Sequence, residues 1–197
     1  MKLVTFTTIF ILILVFLFPA MLALGIRNIP AADQGPLGGT EKIYGTKLIT
    51  QTFVSADDNL SGIGLSFKNP NLINKDDINF TLMREGIIRN LVINGGSIPD
   101  GGFIKFLFEP INGMKNKKFT FSLSAPTATE DKALEVFYSS DSLSYVTFHK
   151  VNNKAELIGK VYSHWLYKLS KDIIFFIFYM IITAGLAILL LFHWKKI

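Results

Sequence analysis

Proton transfer near neutral pH falls first to histidine, and this chain has three: His149, His164 and His193. His193 sits at the end of a long apolar run and His164 in an aromatic segment before it, where interfacial placement accounts for both. His149 ends a period-two stretch and has no second histidine at ligand spacing, so no histidine metal site is expected. Paired carboxylates are the next option. Glu130, Asp131 and Glu135 lie close in sequence, but alternation turns Glu135 to the outer face of a strand, and Thr-Glu-Asp-Lys reads as a solvated turn. Asp57-Asp58 and Asp76-Asp77 offer oxygen ligands without the spacing of a calcium loop. Gly95-Gly96 and Gly101-Gly102 lack the strand-to-helix setting of a phosphate-binding loop, and no nucleophile elbow is present. The absence of cysteine removes disulfides and thiolate-bound metals. No enzymatic activity, metal or cofactor is expected from this inventory.

What remains is recognition. Sugars stack on aromatic rings with polar groups alongside, and Tyr138, Tyr145 and Tyr44 are the candidate binding residues, weighed against a role as edge-of-core tyrosines with wet hydroxyls. The basic cluster Lys115, Lys117 and Lys118 lies in a Gly/Asn-containing turn and reads as a solvated loop, so no nucleic-acid partner is expected. Asn59-Leu-Ser61 and Asn79-Phe-Thr81 match the N-glycosylation acceptor, a short pattern that chance also produces.

Period two governs the elements that must hold such residues. Ile63, Leu65 and Phe67 alternate with Gly64 and Ser66; Ile78, Phe80 and Leu82 with Asn79 and Thr81; Phe119, Phe121 and Leu123 with Thr120 and Ser122. Ile104, Phe106 and Phe108 continue the pattern, as do Leu134, Val136 and Tyr138. Adding 48–54, 87–93 and 143–148 gives about eight strands, separated by turn signals such as Asn69-Pro70-Asn71, Asn94-Gly95-Gly96 and Asn112-Gly113. The pattern predicts an antiparallel β-sandwich, jelly-roll-like or alternatively immunoglobulin-like, with a core drawn from 18 phenylalanines.

The two ends differ from this. Residues 173–192 carry no charge over about 20 positions, enough to span a hydrocarbon core as a helix, and Trp165, Tyr167 and Trp194-Lys195-Lys196 flank them as interfacial anchors. Residues 1–25 begin with Lys2 and run apolar, as a retained signal-anchor or a cleavable signal peptide. The expected organisation is therefore an N-terminal membrane segment over 1–25, a linker over 26–45 and an extracytoplasmic β-sandwich over 46–161. A juxtamembrane segment over 162–172, a C-terminal transmembrane helix over 173–193 and a cytoplasmic tail over 194–197 complete it. The net charge of +5 is spread without a block of like sign. Arg27, Lys160, Lys168 and Lys171 on the outer flanks are no fewer than Lys2, Lys195 and Lys196 on the inner ones, so the N-terminal segment is expected to set orientation. The lipid bilayer is the first expected partner.

Gln51-Thr-Phe-Val-Ser, Asn59-Leu-Ser-Gly-Ile-Gly-Leu, Phe106-Leu-Phe-Glu-Pro-Ile and Lys118-Phe-Thr-Phe-Ser-Leu together resemble the jelly-roll-like extracytoplasmic domain of uncharacterised, membrane-anchored bacterial envelope proteins. Such domains accompany multi-span proteins of surface-glycan metabolism. The chain departs from that pattern in two turns, with Asn112-Gly113-Met114 where a serine-containing turn is usual and Asp141-Ser-Leu-Ser-Tyr where a glycine-rich one is. The resemblance implies bacterial origin, outward orientation and a non-enzymatic role. The partners it suggests are an envelope glycan or a multi-span membrane protein, the latter with this chain as accessory subunit.

Overall fold

The computed structural model describes residues 28–31, 35–139 and 142–194, together with Ile9; the side chains of 187 and 189–194 fall outside that description. The chain divides into two compact units, Asn28–Lys150 and Met1–Arg27 with Val151–Ile197. The expected N-terminal membrane segment, 1–25, lies outside the described residues apart from Ile9.

The first unit is an antiparallel two-sheet structure. Its strands are β1 (Asn28–Pro30), β2 (Thr40–Ile43), β3 (Ile49–Val54), β4 (Leu60–Lys68), β5 (Asp77–Arg84) and β6 (Ile87–Asn94). After these come β7 (Phe103–Ile111), β8 (Lys118–Ser124), β9 (Leu134–Ser139), β10 (Ser142–Leu143) and β11 (Tyr145–Lys150). Among the described residues the larger sheet has seven strands centred on β4, which pairs with β7, β11 and β9; β1 extends it beyond β11, while β2 and β10 pair with β9. The smaller runs β3-β8-β5-β6.

The sequence-read strands from residue 48 onward are all present, because their alternating Phe, Leu and Ile positions turn inward. The stretch 143–148 divides into β10 and β11. The segment expected as a linker, 26–45, contributes β1 and β2, which pair with β11 and β9. They are too short to show alternation, although Ile43 of β2 is buried in the core.

Phenylalanines join the sheets. Phe80 of β5 stacks on Phe106 of β7 with centroids 4.5 Å apart, and Phe106 meets Phe67 of β4 at 6.2 Å. Phe53 of β3 stacks on Phe119 of β8 at 5.7 Å. All five rings are buried in one apolar cluster.

In the second unit, Asn153 starts helix α1 (Lys154–Lys171), its side-chain oxygen accepting from the Ala155 amide at 2.9 Å. This element begins within the stretch expected to close the sandwich (46–161) and continues through the one expected as juxtamembrane (162–172). Asp172 is extended and ends it, and the same Asp caps α2 (Ile173–Trp194): its Oδ1 accepts from the Phe175 amide at 3.0 Å. A carboxylate at that position also faces the positive end of the second helix. Among the described residues no single helix is long and apolar enough to cross a membrane. Lys154–Lys171 and Ile173–Leu186 pass that test together, bent by 104°. Trp165 packs its ring on Tyr179 at 5.6 Å inside this unit.

Candidate functional site

His149 lies in β11 and is buried. Its Nδ1 is 3.1 Å from the Asp58 carbonyl and its Nε2 is 3.2 Å from Thr147 Oγ1, which ties the 57–59 turn to the sheet. The turn carboxylates hold backbone in the same way. Asp58 Oδ1 accepts from the Lys115 amide at 2.9 Å and Asp100 Oδ1 from the Asn69 amide at 2.8 Å. Glu135, on the outer face as alternation requires, accepts from Thr40 Oγ1 at 2.6 Å and lies 3.4 Å from Lys68 Nζ. The Thr40 hydroxyl and then Lys68 hold its carboxyl below the usual range. No group of three or more His, Asp or Glu side chains converges as a metal site among the described residues.

The three sequence-read tyrosines are half-buried and pack against the core cluster. Tyr145 sets its ring 5.7 Å from both Phe53 and Phe121, and burial raises its phenol pKa. Tyr138 donates its hydroxyl to Glu41 Oε2, and Lys47 Nζ sits 2.8 Å from Glu41 Oε1. Lys47 first and Tyr138 second lower the Glu41 pKa, while desolvation and then Glu41 push Tyr138 up to about 12. Tyr44 offers its carbonyl to the Lys47 amide at 3.1 Å, so β2 and the turn after it join Tyr44 and Tyr138 through Lys47 and Glu41. Tyr44, Tyr138 and Tyr145 each set part of the side chain against the core and leave part exposed.

A different aromatic group lies on the outer face of the larger sheet. In β4, Ile63, Leu65 and Phe67 point into the core, leaving Gly62, Gly64 and Ser66 on the outer face. Cross-strand register puts Val146 and Phe148 of β11 on one side of these glycines and Lys105 and Leu107 of β7 on the other, with Phe103 opposite Ser66. Side chains from both neighbours close over the glycines. A Cβ at Gly64 would lie 2.2 Å from Phe103 Cζ and 2.8 Å from Phe148 Cε2; one at Gly62 would lie 2.7 Å from Leu107 Cδ2. Phe103 and Phe148 thus cover the glycines, their ring centroids 6.3 Å apart. Phe148 is 4% exposed, whereas Phe103 and Leu107 are 39% and 46% exposed. Lys105 Nζ stands 4.9 Å from the Phe148 centroid, a cation–π contact on the outer face of the sheet.

This surface has a partly open ring, an aliphatic neighbour and an exposed ammonium on the same strand. It suits a ligand with an apolar face and hydroxyl or anionic groups at its rim. Sequence reading passed over these residues because Phe103, Lys105 and Leu107 fall on the side of β7 that alternation assigns to solvent. The available signal was Gly62 and Gly64 within one strand, since glycine in a strand marks close approach by a neighbour.

No protein-family model matches the chain, and no curated protein matches it. Among solved structures, similarity is found to a family GH115 4-O-methyl-α-glucuronidase with specificity for decorated arabinogalactans, at 12% identity and a TM-score of 0.37. The alignment covers 64% of this chain and 16% of that one. Carbohydrate-binding module CBM36, solved with calcium and xylotriose, aligns at 12% identity and a TM-score of 0.31 over 62% of this chain and 99% of the module. The CBM36-1 domain of a multidomain xylanase from the hindgut metagenome of Trinervitermes trinervoides aligns at 11% identity and a TM-score of 0.33, over 64% of this chain and 98% of that domain. The chain is thus similar, at low TM-score, to carbohydrate-binding domains and to parts of larger enzymes.

Proposed function

We propose that this chain is a non-enzymatic, membrane-anchored module whose β unit lies outside the cytoplasm and binds an envelope glycan on the outer face of its larger sheet. The observation that carries the reading is the partly open Phe103 ring lying over Gly64 of β4, with Lys105 two residues on in the same outer row of β7. A pyranose would set its C–H face on Phe103 and Leu107 and place hydroxyl or carboxylate oxygens toward Lys105. Anchoring rests on α2, whose side chains at Ile173, Ile174, Phe178, Ile181 and Ile182 are exposed and need an apolar surrounding. The C-terminus is then cytoplasmic.

The test is a glycan array probed with the full chain in nanodiscs. Binding in the range of roughly 10 µM to 1 mM, weakened at least tenfold by Phe103→Ala and less by Tyr138→Phe, is the expected result. No glycan retained above background at about 1 mM would reject the reading.

A second reading makes the chain an accessory subunit of a membrane glycan-synthesis or export complex, with the exposed flank of α2 around Gly185 docking a multi-span partner. Crosslinking from Gly185→Cys to one defined membrane protein supports it; uniform labelling by lipid-soluble probes with no protein adduct counts against it.

A further inference from the structure

The smaller sheet ends at β6, which pairs with β5 and with no other strand among the described residues. Natural edge strands are normally blunted by lysine, proline or a bulge. β6 reads Ile-Ile-Arg-Asn-Leu-Val-Ile-Asn, has none of these, and pairs with β5 in unbroken register from Asn94 to Ile87. Ile88 and Val92 are each 60% exposed on the outer face, with Asn90 between them and no charge on that side of the strand.

Backbone direction follows from the hairpin. The turn at Glu85-Gly86 is closed by the pair Arg84 and Ile87, so Ile87, Arg89, Leu91 and Ile93 exchange hydrogen bonds with β5. Ile88, Asn90 and Val92 then direct their N–H and C=O groups outward. The guard on that edge is the Arg89 side chain, whose Nη1 donates to the Ile88 carbonyl at 3.0 Å.

We propose that two copies of the chain join edge to edge through β6, antiparallel about a two-fold axis at Asn90. This register sets Ile88 against Val92 of the second copy and Asn90 against its own equivalent. Every outward donor in that stretch then meets an acceptor, each pair exchanging two hydrogen bonds. It also keeps faces matched, so Ile88 and Val92 of both copies form one apolar strip with Met83, which neighbours Ile88 on β5. A register shifted by one residue would set outward groups against side chains that point to the other face. Arg89 releases the Ile88 carbonyl, which takes the amide of Val92 from the second copy instead. The self-complementary spacing of Ile88 and Val92 about Asn90 is what selects a second copy over an unrelated strand.

The chain is free of cysteine, so a single introduced thiol reports on contact without background. Paired residues that exchange hydrogen bonds place their Cα atoms about 5.5 Å apart, within disulfide reach. Full-length Asn90→Cys in membranes should give a disulfide-linked dimer on mild oxidation, well above the yield of Thr50→Cys on the opposite edge of the same sheet. In detergent the unmodified chain should sediment as a concentration-dependent dimer. Ile88→Lys or Val92→Lys should weaken it at least about tenfold. A monomer at all concentrations, equal crosslinking from Thr50→Cys, or an Asn90→Cys adduct with a different polypeptide would each overturn the proposal. The sedimentation result decides the matter if Asn90→Cys does not fold.

Discussion

Gly64→Ala tests whether Phe103 and Phe148 lie over β4. The added methyl would lie 2.2 Å from Phe103 Cζ, 2.8 Å from Phe103 Cε1 and 2.8 Å from Phe148 Cε2. These two rings can respond differently. Phe103 is on the surface and can swing outward, whereas Phe148 is buried and also carries the Lys105 contact. Overpacking of this kind costs about 1–3 kcal/mol, and the lower entropy of the unfolded alanine chain returns roughly 0.4–1 kcal/mol. A net loss of about 1–2 kcal/mol is expected. For a unit of this size that lowers Tm by roughly 3–10 °C. In a Phe103→Ala background the worst contact is gone and the Phe148 contact remains, so the cost should fall by about half, a coupling of the size seen between touching residues. Thermal unfolding of the full chain in detergent, followed by near-ultraviolet circular dichroism, reads all four proteins. A neutral or stabilising Gly64→Ala, or costs that simply add, would show that Phe103 does not lie over β4.

Phe106→Ala removes the ring stacked on Phe80 and edge-on to Phe67, and should cost about 3–5 kcal/mol in chemical denaturation; an unshifted midpoint contradicts the inter-sheet stack. Gly95→Ala should be comparably damaging, because its Cβ would fall 1.9 Å from Asn74 Oδ1 inside the buried Asn69–Asn74 network, and a wild-type melt would refute that network. The Tyr138 pKa is raised in the folded chain to about 12 against an ordinary value near 10. Its stabilising contribution is therefore complete below pH 10 and lost as pH rises toward 12. The stability gap between wild type and Tyr138→Phe should shrink across that window, and a flat gap would sink the Glu41–Tyr138 contact. Glu41 has the opposite sign: its pKa is lowered, so its contribution is complete above the ordinary carboxylate range and disappears on acidification below it. Glu41→Gln should flatten that acid-side loss. Asp172→Ala removes the cap of α2 and should cost about 0.5–2 kcal/mol of helix stability, visible as faster amide exchange at Phe175; unchanged exchange would mean the cap is idle.

Alternation reports one thing, a difference in polarity between the two faces of a strand, and the parts of this chain that were legible are those where that difference exists. In β5, β8 and β9 the inward Phe, Leu, Ile and Val positions stand out against Thr, Ser and Glu, and the core cluster follows. In β4 the outer positions are Gly62, Gly64 and Ser66, which look like solvent-facing residues yet are buried beneath side chains from β7 and β11. A glycine carries no information about what its neighbours place over it, so this cover appears only once register is known. The same reasoning explains β1 and β2, whose three and four residues are too few for a pattern to be read. β6 is the complementary case. Its outward Ile88 and Val92 are plain in the sequence, but apolar residues on both faces describe a central strand as well as an edge. Only the order β3-β8-β5-β6 assigns them to an edge, and from that point exposed aliphatics flanking outward backbone donors are a demand for another strand.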